Sequence, residues 1–143
     1  LTEPSIDPTV LRRARRAVLV AFFTNGAAFA SWAPRIPSVQ EDLAINATTL
    51  GVALTGVGLG GLIFTFFAGM FVDHFGSRRI LLVAIAALCA CLMLPGLAPS
   101  WWALLLALVL LGGADALMDV AMNAHGVLVE QQYGRSLLLR LNA

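Results

Sequence analysis

The 143-residue chain has no lysine, a single tyrosine, two cysteines and few charges of either sign. Charged residues make up 12% of it, about half the roughly 25% typical of soluble domains. A soluble domain of this size must show water a polar surface, and this composition cannot supply one. Soluble enzymes, nucleic-acid binders and disordered tails are therefore excluded. Cys89 and Cys91 stand two apart on an apolar run, where helical side chains diverge by about 200°, so they do not bridge each other. Neither a redox compartment nor a metal follows from them. No nucleophile–base pair, metal cluster or phosphate-cradling loop is present, which argues against an enzyme and against any cofactor.

What the chain has is apolar length. Hydrophobic residues account for 59% of it, and the mean hydropathy is +0.87. A bilayer-crossing helix needs about 20 predominantly apolar residues, since the hydrocarbon core is about 30 Å thick and each residue rises about 1.5 Å. Four stretches qualify: 17–36, 50–72, 80–97 and 101–122. Strands are excluded, because an open sheet edge cannot be satisfied in lipid and barrel strands would alternate. The expected fold class is an all-α membrane protein. Residues 1–16 are expected to form a cytoplasmic basic N-terminal segment, 17–130 a four-helix transmembrane region, and 131–143 a truncated cytoplasmic segment.

Arginine placement gives the expected orientation. Arg12, Arg13, Arg15 and Arg16 precede the first span, Arg78 and Arg79 separate the second from the third, and Arg135 and Arg140 follow the fourth. Only Arg35 lies on the other side. By the positive-inside rule both termini are cytoplasmic, in a bacterial inner membrane. Trp32, Trp101 and Trp102 fall at the expected outer interface, where indole is favoured. A cleaved signal peptide ending near Ala28-Phe29-Ala30 fits less well, because the apolar run continues and three more spans follow. Asn46-Ala47-Thr48 matches a glycosylation acceptor, a pattern short enough to arise by chance.

The spans differ in kind. The third is featureless. The second is glycine-rich, and Gly56 and Gly60 have the small-xxx-small spacing of a close helix-packing face. The first carries Asn25, with Phe22, Phe29 and Trp32 on the same face, which is expected to point into the bundle. An interhelical hydrogen bond worth about 1 kcal/mol accounts for Asn25 as well as a cavity-lining role does. In the fourth, Asp115, Asp119 and Asn123 recur every four residues as a slowly drifting stripe. Each aspartate costs roughly 3 kcal/mol near the bilayer centre, and intramembrane acids mark proton relays, ion sites or polar substrate paths. Asp115, about 21 Å along the helix from Trp101, is the leading candidate to load and release a proton. Asp119 and Asn123 can instead sit in headgroup water or brace a neighbour, and His125 and Glu130 lie at or beyond the interface. The candidate substrate and proton pathway is thus Asn25, Trp32, Asp115, Asp119 and Asn123.

Between the second and third spans the chain reads Gly69-Met70-Phe71-Val72-Asp73-His74-Phe75-Gly76-Ser77-Arg78-Arg79. Gly69 allows close helix contact, Asp73 ends one helix and can cap the next, and Gly76 offers the positive φ of a tight turn. Arg78 and Arg79 hold the turn in headgroup water. The segment resembles the signature loop of the major facilitator superfamily, G-x-x-x-D-(R/K)-x-G-(R/K)-(R/K). Gly69, Asp73, Gly76 and Arg78 match, while His74 and Ser77 replace basic residues. Ser31-Trp32-Ala33-Pro34-Arg35-Ile36-Pro37, and the run from Gly112 through Asp115, Asp119 and Asn123 to Gly134-Arg135, look like the fucose-permease-like branch. The resemblance implies a secondary transporter of twelve helices in nested repeats. It also implies substrate-cavity roles for the first and fourth helices, and a loop that braces the N-terminal half against the C-terminal half in one alternating state.

Four spans supply only the N-terminal part of such a carrier, and the chain opens on Leu1 without an initiating Met. The expected function is proton-coupled alternating-access transport of a small solute (a sugar, another polar metabolite or a drug). The partners are then the bilayer, the solute, protons and the missing C-terminal half, with no nucleic acid, and the chain alone is inactive. A self-contained four-helix oligomeric transporter is disfavoured by the acid-free first span and the eight-to-one arginine bias. A non-transporting scaffold or regulatory subunit leaves the loop and the intramembrane acids without a purpose. An antibody to residues 39–47 should detect a native product far above 15.1 kDa; a persistent 15.1 kDa species with a defined N-terminus would remove the fragment reading.

Overall fold

The computed structural model describes the backbone of residues 8–141 and the side chains of residues 16, 19, 20 and 22–124. The side chains of Arg12, Arg13, Arg15, His125, Glu130, Arg135 and Arg140 lie outside the described residues. Among the described residues there is no strand. The order is α1 (Pro8–Trp32), a 3-10 turn (Ala33–Arg35), α2 (Ile36–Asp42), α3 (Ala47–Phe75), α4 (Ser77–Cys91), a second 3-10 turn (Pro95–Leu97) and α5 (Trp101–Leu141). Among the described residues three segments are long and apolar enough to cross a membrane: Ala47–Phe75, Ser77–Leu97 and Trp101–Ala124. The fourth long helix, α1, takes in the basic residues expected to precede it, and α5 runs well past residue 122.

The breaks follow from local chemistry. The run 17–36 is not one uninterrupted helix. Pro34 and Pro37 lack the N–H that helix propagation needs, and the chain passes through the first 3-10 turn into α2. In the following turn Ala44 takes φ +50°, a left-handed position tolerated without a β-branch. Asn46 is the N-cap of α3, its side-chain oxygen accepting from the Thr49 N–H at 2.8 Å. That gives the residue a structural job independent of its fit to a glycosylation pattern. Between α3 and α4 the connection shrinks to Gly76, at φ +85°. Gly76 N–H closes α3 onto the Val72 carbonyl at 2.9 Å, and its own carbonyl accepts from Ile80. Asp73 does not end α3, as expected from sequence, but lies inside its last turn, and the residue that precedes α4 is Gly76.

α5 is the axis of the bundle: α3, α4 and α1 all pack on it, α3 most extensively. Leu104, Leu108, Leu111, Met118 and Met122 of α5 are fully buried or nearly so, against Leu81, Ala84 and Leu88 of α4 and Ala53 of α3. No polar or charged residue is buried among the described residues. The outside is apolar too, with Phe23 and Phe66 each 78% exposed, as lipid-facing side chains require.

The α3–α5 contact is made backbone to backbone. A Cβ on Gly60 would collide with the Val109 backbone, and one on Gly112 with the Val57 backbone. One on Gly56 would stand 2.7 Å from the Leu105 carbonyl oxygen, and one on Gly113 would strike the Phe64 ring. The small-xxx-small face read from α3 is therefore a packing face, and α5 answers it with glycines of its own. Gly58, by contrast, has nothing within 4 Å of its Cβ position. Gly60→Ala should lower the thermal unfolding midpoint of the detergent-solubilised protein markedly. Gly58→Ala should leave it unchanged or raise it slightly, since alanine favours helix over glycine by about 1 kcal/mol. Equal midpoints for the two variants would contradict the interlock.

Candidate transport site between the first and last long helices

Asn25 lies in the distal half of α1, and its side chain crosses to α5. The amide nitrogen donates to Asp115 Oδ1 at 2.8 Å and to Asp119 Oδ1 at 3.1 Å. The two acids are one helical turn apart, so their carboxylates rise from the same face of α5, and a single NH2 group, with two hydrogens, serves both. Asp115 is half-buried and Asp119 exposed. The geometry relieves part of the penalty of two neighbouring carboxylates in an apolar bundle, because hydrogen bonds to the charged form favour it. It leaves the other carboxylate oxygens free to accept from a bound solute or to take a proton.

Sequence reasoning named all three residues but had no means of pairing them across 90 positions. The other two candidates are not drawn into the cluster. Trp32 sits two turns beyond Asn25 on the same face of α1, but it is buried in the core, 6% exposed, and among the described residues makes no hydrogen bond to either aspartate. Trp101 and Trp102 stack on each other at 3.7 Å with Trp102 largely exposed. Asn123 continues the α5 stripe as an exposed residue and makes no hydrogen bond to the cluster. Phe22, expected to face inward with Asn25, is half exposed, and Phe29 is half-buried.

At the other end of α3, Gly69, Met70, Asp73 and His74 line an open groove of about 570 Å3. Gly69 has nothing within 4 Å of its Cβ position among the described residues, so the space beside it is open. The His74 ring stands edge-on to Phe75 at 4.6 Å, and Arg78 and Arg79 are exposed just beyond Gly76. Among the described residues no three histidine, cysteine, aspartate or glutamate side chains converge as a metal site.

Long apolar helices with an apolar outer surface, closed on a polar cluster between two of them, define a membrane-spanning helical bundle. The chain belongs to the Major Facilitator Superfamily, whose family model matches residues 18–125. An uncharacterized MFS-type transporter of Yersinia pestis is 34% identical over 136 residues, covering 95% of this chain and 34% of that protein. Membrane protein MosC of Rhizobium meliloti is 37% identical over 115 residues, 80% of this chain and 28% of MosC. An uncharacterized transporter of Sinorhizobium fredii is 35% identical over 135 residues, 90% of this chain and 34% of that protein. The chain thus spans about a third of the length of the curated relatives it matches. No solved structure matches it. The helices fit the N-terminal part of the superfamily's fold, and the family is one of transporters, not enzymes.

The bridge can be weighed directly. In a double-mutant cycle of Asn25→Ala with Asp115→Ala, read by unfolding in detergent, the coupling should be about 0.5–2 kcal/mol, the range of interhelical hydrogen bonds in membrane proteins. Additive effects would mean that the two side chains do not meet.

Proposed function

We propose that this segment lines the translocation pathway of a proton-coupled secondary transporter, as the N-terminal part of a longer carrier. The observation that carries the reading is the Asn25 amide bridging Asp115 and Asp119. It joins the helix before the Pro34 break to the helix that organises the bundle. Intramembrane acids that face a neighbouring helix are costly and are kept where a proton or polar solute passes. In this reading Asp115, the more buried acid, takes up and releases the proton. Asp119 and Asn123 continue the polar path along α5, and Asn25 exchanges its bond to Asp115 for one to solute when the carboxyl is protonated. The solute is small and polar, a sugar or sugar-like metabolite first among the candidates, because the segments 31–37 and 112–135 resemble the fucose-permease-like branch. Arginine placement supports cytoplasmic termini in a bacterial inner membrane. The Gly69–Arg79 loop then faces the cytoplasm and braces the two halves of the carrier.

The test is proton influx into proteoliposomes of the full carrier, loaded with a pH-sensitive dye and challenged with a panel of neutral monosaccharides and polyols. At least one should drive influx in the wild type. Asp115→Asn should abolish that influx while leaving solute counterflow, which needs no net proton movement. Solute-driven influx that survives Asp115→Asn with its pH dependence unchanged would exclude Asp115 as the proton carrier.

A further inference from the structure

At the end of the bundle remote from Gly76, the Ala33–Arg35 turn and the residues leading into the Pro95–Leu97 turn face each other across an open cleft of about 340 Å3. One wall is Ser31, Trp32 and Arg35; the other is formed chiefly by Leu92, Met93 and Leu97. The first wall is polar and has a fixed base. Trp32 is buried in the core, and the Ser31 hydroxyl donates to the Ala28 carbonyl at 2.8 Å, which leaves its oxygen able to accept only. Arg35 is exposed and makes no ion pair or hydrogen bond among the described residues, although Glu41 and Asp42 follow it on α2. The second wall is aliphatic and open, with Met93 68% and Leu97 73% exposed.

A free guanidinium facing exposed aliphatic side chains, at the level where bilayer-crossing helices end, has a specific complement. It is a phosphate joined within a few bonds to hydrocarbon. The planar guanidinium pairs with phosphate oxygens in a bidentate way that an ammonium cannot match, and long side chains at this depth meet the headgroup layer. We propose that this cleft binds the headgroup of an anionic phospholipid. The phosphodiester sits on Arg35 and the first acyl methylenes lie against Met93 and Leu97. A soluble organic phosphate would share the contact with Arg35 but would leave the aliphatic wall exposed. The site is separate from the transport cluster, since Asn25 lies more than two turns, about 15 Å, back along α1 from Arg35.

Native mass spectrometry of the protein from mixed micelles, with phosphatidylglycerol and phosphatidylcholine at equal concentration, reads the preference directly. The wild type should retain phosphatidylglycerol preferentially, and Arg35→Gln should reduce the phosphatidylglycerol-to-phosphatidylcholine ratio about fivefold or more, in line with the loss of a charge-assisted pair. Arg35→Lys should fall between them. Leu97→Glu, an exposed change that sets a carboxylate opposite the guanidinium, should reduce the ratio comparably, and it carries the test if Arg35→Gln does not fold. An unaltered ratio in folded Arg35→Gln or Leu97→Glu would overturn the proposal. So would displacement of phosphatidylglycerol from the wild type by millimolar glycerol phosphate, which would make the cleft a site for soluble anions.

Discussion

Direct backbone contact between α3 and α5 is the constraint on which the other helix positions depend. Lipid tails are as apolar as leucine, so these helices gain little by hiding side chains from their surroundings and associate by close packing. Gly56 and Gly60 on α3 and Gly112 and Gly113 on α5 remove the side chains that would hold the two helices apart. With that distance set, α5 becomes a fixed rod, and its remaining faces receive α4 through Leu81, Ala84 and Leu88 and α1 through Ala28 and Trp32.

The polar cluster inherits its geometry from this arrangement. Asp115 and Asp119 begin just beyond the glycine pair of α5, and their helix phase brings them out where α1 passes. Asn25 can reach both because α1 has not yet arrived at its break; Pro34 lies nine residues further on. In the proposed function, structure and chemistry are coupled here, since one amide holds α1 to α5 and also occupies the acids assigned to proton and solute. A bond worth about 1 kcal/mol is strong enough to order the resting bundle and weak enough to exchange.

Much was legible in the residues alone. The apolar runs, the glycine spacing of α3, the positive φ at Gly76 and the candidacy of Asn25, Asp115 and Asp119 rest on composition and period, which are local properties. Errors arose where a local pattern had two outcomes. Asp73 resembles a helix stop, but with Gly76 able to take the turn by itself the helix runs on to Phe75. The run 17–36 is apolar enough to read as one span, yet Pro34 and Pro37 break it into α1, a 3-10 turn and α2. Gly112 and Gly113 drew no attention as packing residues because two adjacent glycines do not show the four-residue spacing that marks α3.

The sequence by itself determined that the chain is helical and membrane-bound, and which few polar residues stand in apolar surroundings. These follow from the cost of unsatisfied backbone and side-chain groups in hydrocarbon, which each segment meets on its own. Only the tertiary structure decided that Asn25 serves both aspartates, that the α3 glycines mesh with those of α5, and that Arg35 faces an aliphatic wall across a cleft. Each of these joins residues tens of positions apart, and such pairings depend on how whole helices rotate and slide against one another. No local period records that choice.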